Sequence, residues 1–245
     1  TGKEIAVTEV CVSNKLTKGM VSQLTPNQPL LQGGFIYSCA FNKLKQIDYT
    51  GKIVDDTKGF GITKQFECIT YGPVLVKDAL VFGNIGSGNS PSRVFAANQK
   101  LSDEWIDNID KKSGAGNMHV NGDMVIVSTN FVLSAYNHKG KNLWSNDDIQ
   151  LSTMRGLRYH SSFGVRKTSN NYLTADENYV YLASKKKAKK KEVSNDNVTI
   201  FDIKKGKEVG TIELDVNEYL IDMQLWNNNI LLITSNGLKS VNKPT

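Results

Sequence analysis

The sequence is most informative first in what it lacks. It has three cysteines in 245 residues, Cys11, Cys39 and Cys68. An odd number at irregular intervals does not make a disulfide framework, so the thiols are expected to be reduced core or strand residues. That expectation favours the cytoplasm, or a particle assembled there. No apolar run approaches the roughly 18 residues that a membrane span requires. No basic start leads into an apolar stretch, so no secretory signal is expected. The chain begins at Thr1 rather than Met, as removal of an initiator Met or cleavage of a longer precursor would leave it. Histidine is scarce too. His119, His138 and His160 share no metal-binding interval with each other or with a cysteine, so neither a metal nor a cofactor is expected.

Charge balance is missing in one place only. The net charge is +6, and Lys185, Lys186, Lys187, Lys189, Lys190 and Lys191 account for all of it. A protein basic throughout would suit nucleic acid. Here one segment is basic and the rest is neutral, which points to a local contact with an anionic surface. The run contains neither Arg nor an aromatic residue. Sequence-specific readout favours Arg forks and single-strand binding favours stacking rings, so neither form of nucleic-acid recognition is expected.

What is present is a repeat. The clearest copy reads Met124-Val125-Ile126-Val127-Ser128, then Val132-Leu133-Ser134-Ala135-Tyr136-Asn137, then the turn His138-Lys139-Gly140-Lys141, then Asn142-Leu143-Trp144. A second has Tyr179 to Ser184, Val198-Thr199-Ile200-Phe201-Asp202, and Lys205-Gly206-Lys207-Glu208-Val209. A third has Leu80 to Gly83, Val94 to Asn98, and Glu104-Trp105-Ile106, without a turn glycine. A fourth has Phe35 to Ser38, Leu44 to Asp48, and Thr50-Gly51-Lys52-Ile53-Val54. β-Branched and aromatic residues suit a half-buried pleated surface. Asp or Asn followed closely by Gly supplies the positive φ of a tight turn. Each unit is therefore an antiparallel meander that cannot bury both faces alone, and the copies must stack.

The last unit, Ile230 to Thr234 and Leu238 to Asn242, stops at Lys243-Pro244-Thr245 without its outer strand. At the other end, Thr1-Gly2-Lys3-Glu4-Ile5-Ala6-Val7 reads as the missing turn and strand. The expected fold is all-β: one domain over 1–245, a small β-propeller of about five four-stranded antiparallel blades. The count becomes six if the 146–170 connection holds an irregular unit. The ring is expected to close by pairing the N-terminal strand with the C-terminal blade, which removes an exposed edge.

The stretch Ala135-Tyr136-Asn137 through Gly140-Lys141-Asn142-Leu143-Trp144 resembles the repeat of the PQQ-like, or quinoprotein-type, β-propeller superfamily, and 198–209 is a fair match. The resemblance implies the propeller fold. It implies no particular chemistry, because that superfamily holds quinoprotein enzymes, outer-membrane assembly scaffolds and non-catalytic modules.

Strand alternation then selects a face. With the strands of a blade lettered A to D from the inside, A–B and C–D turns share one face. B–C loops and blade-to-blade connections share the other. The long segments are the B–C loops from Asn84 to Arg93 and from Lys185 to Asn197, and the connections 11–29, 57–72 and 146–170. All fall on the second face, where function is expected. The expected partner-binding residues are the six lysines, Arg93, and the Arg155, Arg158, Tyr159, His160 and Arg166 set in the longest connection, since Arg and aromatics dominate interface hot spots. Gly83 to Pro91 lacks the Gly-Lys-Ser/Thr ending of a phosphate-binding loop. Trp105 and Trp144 occupy the same place in successive units, so they are expected to pack blades. Trp226 is a candidate for the channel lining, and Asp222 is an isolated acid on an otherwise apolar inner strand.

Neither a nucleophile elbow nor an acid–base carboxylate pair is present. The expected function is a non-catalytic, structural or protein-binding subunit of a larger assembly, a virion tail or capsid component being one version. The competing reading is a ligand-binding or quinoprotein-type enzymatic propeller, holding a sugar or cofactor in its channel or between blades.

Overall fold

The computed structural model describes residues 30–31, 35–39, 43–56, 69–84, 91–98, 103–110, 117–129, 131–149, 173–185, 196–216 and 218–244. Among them the regular structure is entirely β, in five sheets. The first holds β1 (Leu30–Leu31), β2 (Phe35–Cys39), β3 (Lys43–Ile47) and β4 (Ile53–Asp56). The second holds β5 (Ile69–Val76), β6 (Ala79–Asn84), β7 (Ser92–Ala97) and β8 (Asp103–Asp110). The third holds β9 (Asn117–Asn121), β10 (Met124–Ser128), β11 (Leu133–Asn137) and β12 (Asn142–Asn146). The fourth holds β13 (Leu173–Ala175), β14 (Tyr179–Lys185), β15 (Asp196–Asp202) and β16 (Glu208–Glu213). The fifth has three strands, β17 (Leu220–Trp226), β18 (Asn229–Thr234) and β19 (Gly237–Asn242). Every sheet is an antiparallel meander in chain order. The first strands abut in sequence, β5 on β9, β9 on β13 and β13 on β17, with β2 against β5. This is the all-β propeller architecture expected from the repeats.

Period-two alternation explains how the sheets stack. In β10, Val125 and Val127 point toward the second sheet and pack with Val76, Val81, Val94 and Ala96, while Ile126 points to the fourth. In β14, Val180 and Leu182 join Ile126, Leu133, Ala135 and Phe201, while Tyr181 and Ala183 pack with Leu220, Met223, Ile230 and Leu232 of the fifth sheet. The middle strands of the third and fourth sheets are thus apolar on both faces, because each of these sheets lies between two others. Outer strands are not: β16 alternates exposed and half-buried residues along its length.

The tryptophans lock neighbouring sheets together. Trp105 Nε1 donates to the His138 carbonyl at 3.0 Å, and Trp144 Nε1 donates to the Ile203 carbonyl at 2.8 Å. Each indole lies on the turn glycine of the next sheet, Gly140 and Gly206, both at positive φ (79° and 64°). A Cβ on either glycine would overlap the ring. The expected packing role is therefore realised, and it also explains the uneven repeats. The position opposite the third strand that Trp holds in sheets two and three (Ala96↔Trp105, Ala135↔Trp144) is Gly210 in the fourth. In the first it is Asp55, and the second sheet's turn, 98–102, carries no glycine.

Several boundaries differ from the sequence reading. Asn84 pairs with Arg93 and Lys185 with Asp196, so strand pairing consumes both ends of each predicted loop, leaving 85–91 and 186–195. β5 starts at Ile69, shortening that connection. The predicted closing strand at 1–7 lies outside the described residues, as does nearly all of 146–170, where a sixth unit was considered. Of the cysteines, Cys39 ends β2, while Cys11 and Cys68 lie outside the described residues.

Candidate functional site

The two faces differ in how their connections are built. On one face the turns are tight and capped by their own side chains. Asp48 Oδ1 accepts from the Thr50 and Lys52 backbone N–H groups at 2.8 and 3.0 Å, which holds its carboxyl below the usual range, the Thr50 hydroxyl contributing most. Asn137 Oδ1 accepts from Lys139 and Lys141, and Asp202 Oδ1 from Lys204 and Lys205, in the same places of the third and fourth sheets. This is why the repeat keeps Asp or Asn there. The Lys77–Asp123 ion pair at 2.7 Å and Lys243–Asp176 at 3.3 Å link successive sheets on the same side. Burial opposes ionisation of Asp176, but bonds from Asn178, Tyr179, Tyr181 and Lys243 outweigh it and lower its pKa.

The strand ends that border 57–68, 85–91, 111–116, 147–172, 186–195 and 214–219 lie on the opposite face. The roots of the lysine loop are anchored there. Asp196, opposite Lys185, is buried, and its Oδ2 accepts the Leu220 N–H at 3.2 Å. Two residues before Leu220, Glu218 is only 2% exposed. It accepts from Thr234 Oγ1 and from the Asp215 N–H at 3.0 Å, and it binds Lys239 Nζ at 2.6 Å. Burial alone would raise its pKa. The bonds from Lys239, Thr234 and Asp215 win and hold the carboxyl down at about 2. Lys239 also reaches Asp215 at 2.8 Å, so one cation ties the 214–219 connection to β19.

A second feature of this face is invisible in the sequence. Ser128 shares the β10 face of Ile126, and Asn197 shares the β15 face of Phe201, so both look into the interface between the third and fourth sheets. Both are buried, and among the described residues neither Ser128 Oγ nor Asn197 Oδ1 has a hydrogen-bond partner. Ser184 and Thr199 bond to each other on the same side. Each of these reads in the sequence as an ordinary strand residue. Only the stacking of sheets shows that two orphaned polar atoms line one interface rim.

The predicted partner-binding residues fare unevenly. Lys185 is the last residue of β14 and not part of a loop tip. Arg93 lies in β7, half-buried, and its Nε donates to Asn108 Oδ1 at 2.9 Å across the strand pair, so part of its guanidinium serves the sheet. Lys186, Lys187, Lys189, Lys190, Lys191, Arg155, Arg158, Tyr159, His160 and Arg166 lie outside the described residues. Asp222 is not isolated, since its Oδ1 accepts the Met223 N–H at 2.8 Å. Trp226 ends β17 with 64% of its surface exposed. His119 sits half-buried in β9, where burial lowers its pKa against a hydrogen bond with the Ala175 backbone. Among the described residues no three His, Cys, Asp or Glu side chains are placed to hold a metal ion.

No protein-family model matches the chain, and no curated protein matches it by sequence. Solved structures do match. One is the crystal structure of BamB from Moraxella catarrhalis, at 14% identity and a TM-score of 0.58, with 88% of this chain aligned to 60% of that one. The aligned part thus spans less than two thirds of BamB. At this identity the likeness shows the fold and nothing of the chemistry.

Proposed function

We propose that this chain is a non-catalytic β-propeller that acts as a structural or protein-binding subunit of a larger assembly, and that it binds through the face carrying the long loops. The observation that supports this reading is the one-sidedness of the connections. Tight turns capped by Asp48, Asn137 and Asp202 close one face. All the longer segments leave from the other, whose strand ends are pinned by Asp196 and Glu218. Rigid strands presenting variable loops on one side are how a propeller scaffold makes a binding surface. The lysine run gives that surface a positive region suited to an anionic patch on the partner. A virion tail or capsid-decorating subunit is one such assembly.

Native mass measurement on natural material tests the reading: a stoichiometric complex supports it, and a lone monomer that binds a small ligand overturns it. With the partner in hand, Lys186, Lys187, Lys189, Lys190 and Lys191 are changed to Ser. Binding is expected to weaken and to lose much of its dependence on salt. Unchanged affinity removes the lysine run from the interface.

A further inference from the structure

Two asparagines in this chain stand directly before a glycine, in Asn121-Gly122 and Asn236-Gly237. That pairing carries a chemistry of its own. Glycine has no Cβ to shield its backbone nitrogen, so the nitrogen can reach the side-chain amide carbon of the preceding asparagine. The fold treats the two copies differently.

Asn121 ends β9, half-buried and paired with Met124. Its Nδ2 donates to the Asp176 carbonyl, so its amide is tied to the fourth sheet. Asn236 has no hydrogen bond to another sheet among the described residues. It stands in the exposed two-residue turn between β18 and β19. Gly237 follows at a φ of 126°, and a Cβ built there would meet nothing within 4 Å, so the space around the glycine is open. Ser235 is fixed by the Tyr219 backbone, donating its N–H to the carbonyl at 3.0 Å and accepting the Tyr219 N–H at 3.3 Å. Its hydroxyl lies 3.4 Å from Asn236 Oδ1, the oxygen that gains charge when the amide carbon is attacked.

We propose that Asn236 is a self-modifying site, deamidating in the folded chain while Asn121 is protected. The Gly237 nitrogen bonds to Asn236 Cγ, and the Cγ–Nδ2 bond breaks. The proton from the glycine nitrogen passes through solvent to the departing nitrogen, which leaves as ammonia, and a five-membered imide remains. Water then opens the ring. Attack at Cγ leaves aspartate, and attack at the main-chain carbonyl carbon leaves isoaspartate, with the chain rerouted through the side chain. Nothing is oxidised or reduced: one water enters and one ammonia leaves.

The position gives the reaction a consequence. By strand alternation this turn lies on the same face as the strand ends that border 85–91 and 186–195, so each conversion adds a carboxylate to that face. At the root of the turn, Thr234 Oγ1 accepts the Asn236 N–H at 3.2 Å and donates to the buried Glu218. The extra backbone carbon of the isoaspartyl form strains that link. The chemistry does not depend on what the face binds.

Ageing the intact chain in mildly alkaline buffer tests this, with peptide mapping by mass spectrometry and fragmentation that separates isoaspartate from aspartate. The peptide holding Asn236 is expected to gain one mass unit about tenfold faster than the one holding Asn121, because folding protects the tied amide. Both aspartate and isoaspartate are expected at 236. In guanidinium-unfolded chain the two sites are expected to react at similar rates. Equal rates in the folded chain, faster loss at Asn121, or an intact Asn236 after the unfolded chain has converted overturns the proposal. Aspartate without isoaspartate rules out the imide and overturns it as well.

Discussion

The indole of Trp144, in the outer strand of the third sheet, lies against Gly206 in the turn of the fourth and donates its Nε1 proton to Ile203 at 2.8 Å. Trp105 and Gly140 repeat the relationship one sheet earlier. The glycine does two things at once. It takes the positive φ the turn needs, and it leaves room for a ring that a side chain would displace.

Gly206→Ala is therefore expected to cost clearly more than Gly122→Ala. Gly122 also has positive φ, at 56°, but a Cβ there meets nothing within 4 Å. The backbone penalty alone is about 1–2 kcal/mol, and overlap with Trp144 adds to it at Gly206. Urea unfolding of the two variants checks this. Equal losses would show that the ring yields freely.

Trp144→Phe keeps most of the packing and loses the bond to Ile203, for an expected cost of about 1–2 kcal/mol, since the buried carbonyl is left unpaired. Trp144→Ala is expected to cost about 3–5 kcal/mol. The same denaturation measurement gives both values.

The Glu218 carboxyl gives the fold a defined acid sensitivity. Its pKa is about 2 when folded, against 4.5 for an ordinary glutamate. A folded value below the unfolded one means the stabilisation is complete above about pH 4.5 and drains away as the pH falls through about 2. Glu218→Gln is expected to be less stable at neutral pH and to show a flatter stability profile across that window. A variant whose profile parallels the parent's would assign the acid sensitivity to other groups.

Ser128 offers the opposite sign. Its buried hydroxyl has no partner among the described residues, so Ser128→Ala removes an unsatisfied polar group and little volume. The variant is expected to match or exceed the parent in stability, by up to about 1 kcal/mol. A clear loss would show that the hydroxyl is satisfied by a bound water or a neighbouring segment.

The sequence by itself determined the class of fold. Alternating Val, Ile, Tyr and Phe between turns in which Asp or Asn is followed closely by Gly dictates antiparallel meanders, because strand periodicity and turn stereochemistry are local. The same locality let Asp48, Asn137 and Asp202 be read as turn residues, and let the long segments be assigned to one face from strand alternation alone. What only the tertiary structure decided lies between sheets. That Trp144 needs a glycine 62 residues later, that Glu218 meets Lys239, and that Ser128 and Asn197 share one interface all depend on which sheet stacks on which. Arg93 read as a partner-binding residue because nothing in its neighbours says that Asn108 will lie across the strand pair and accept from it. Contacts of that kind are set by packing between segments distant in the chain, where side-chain pairing leaves no periodic signal to read.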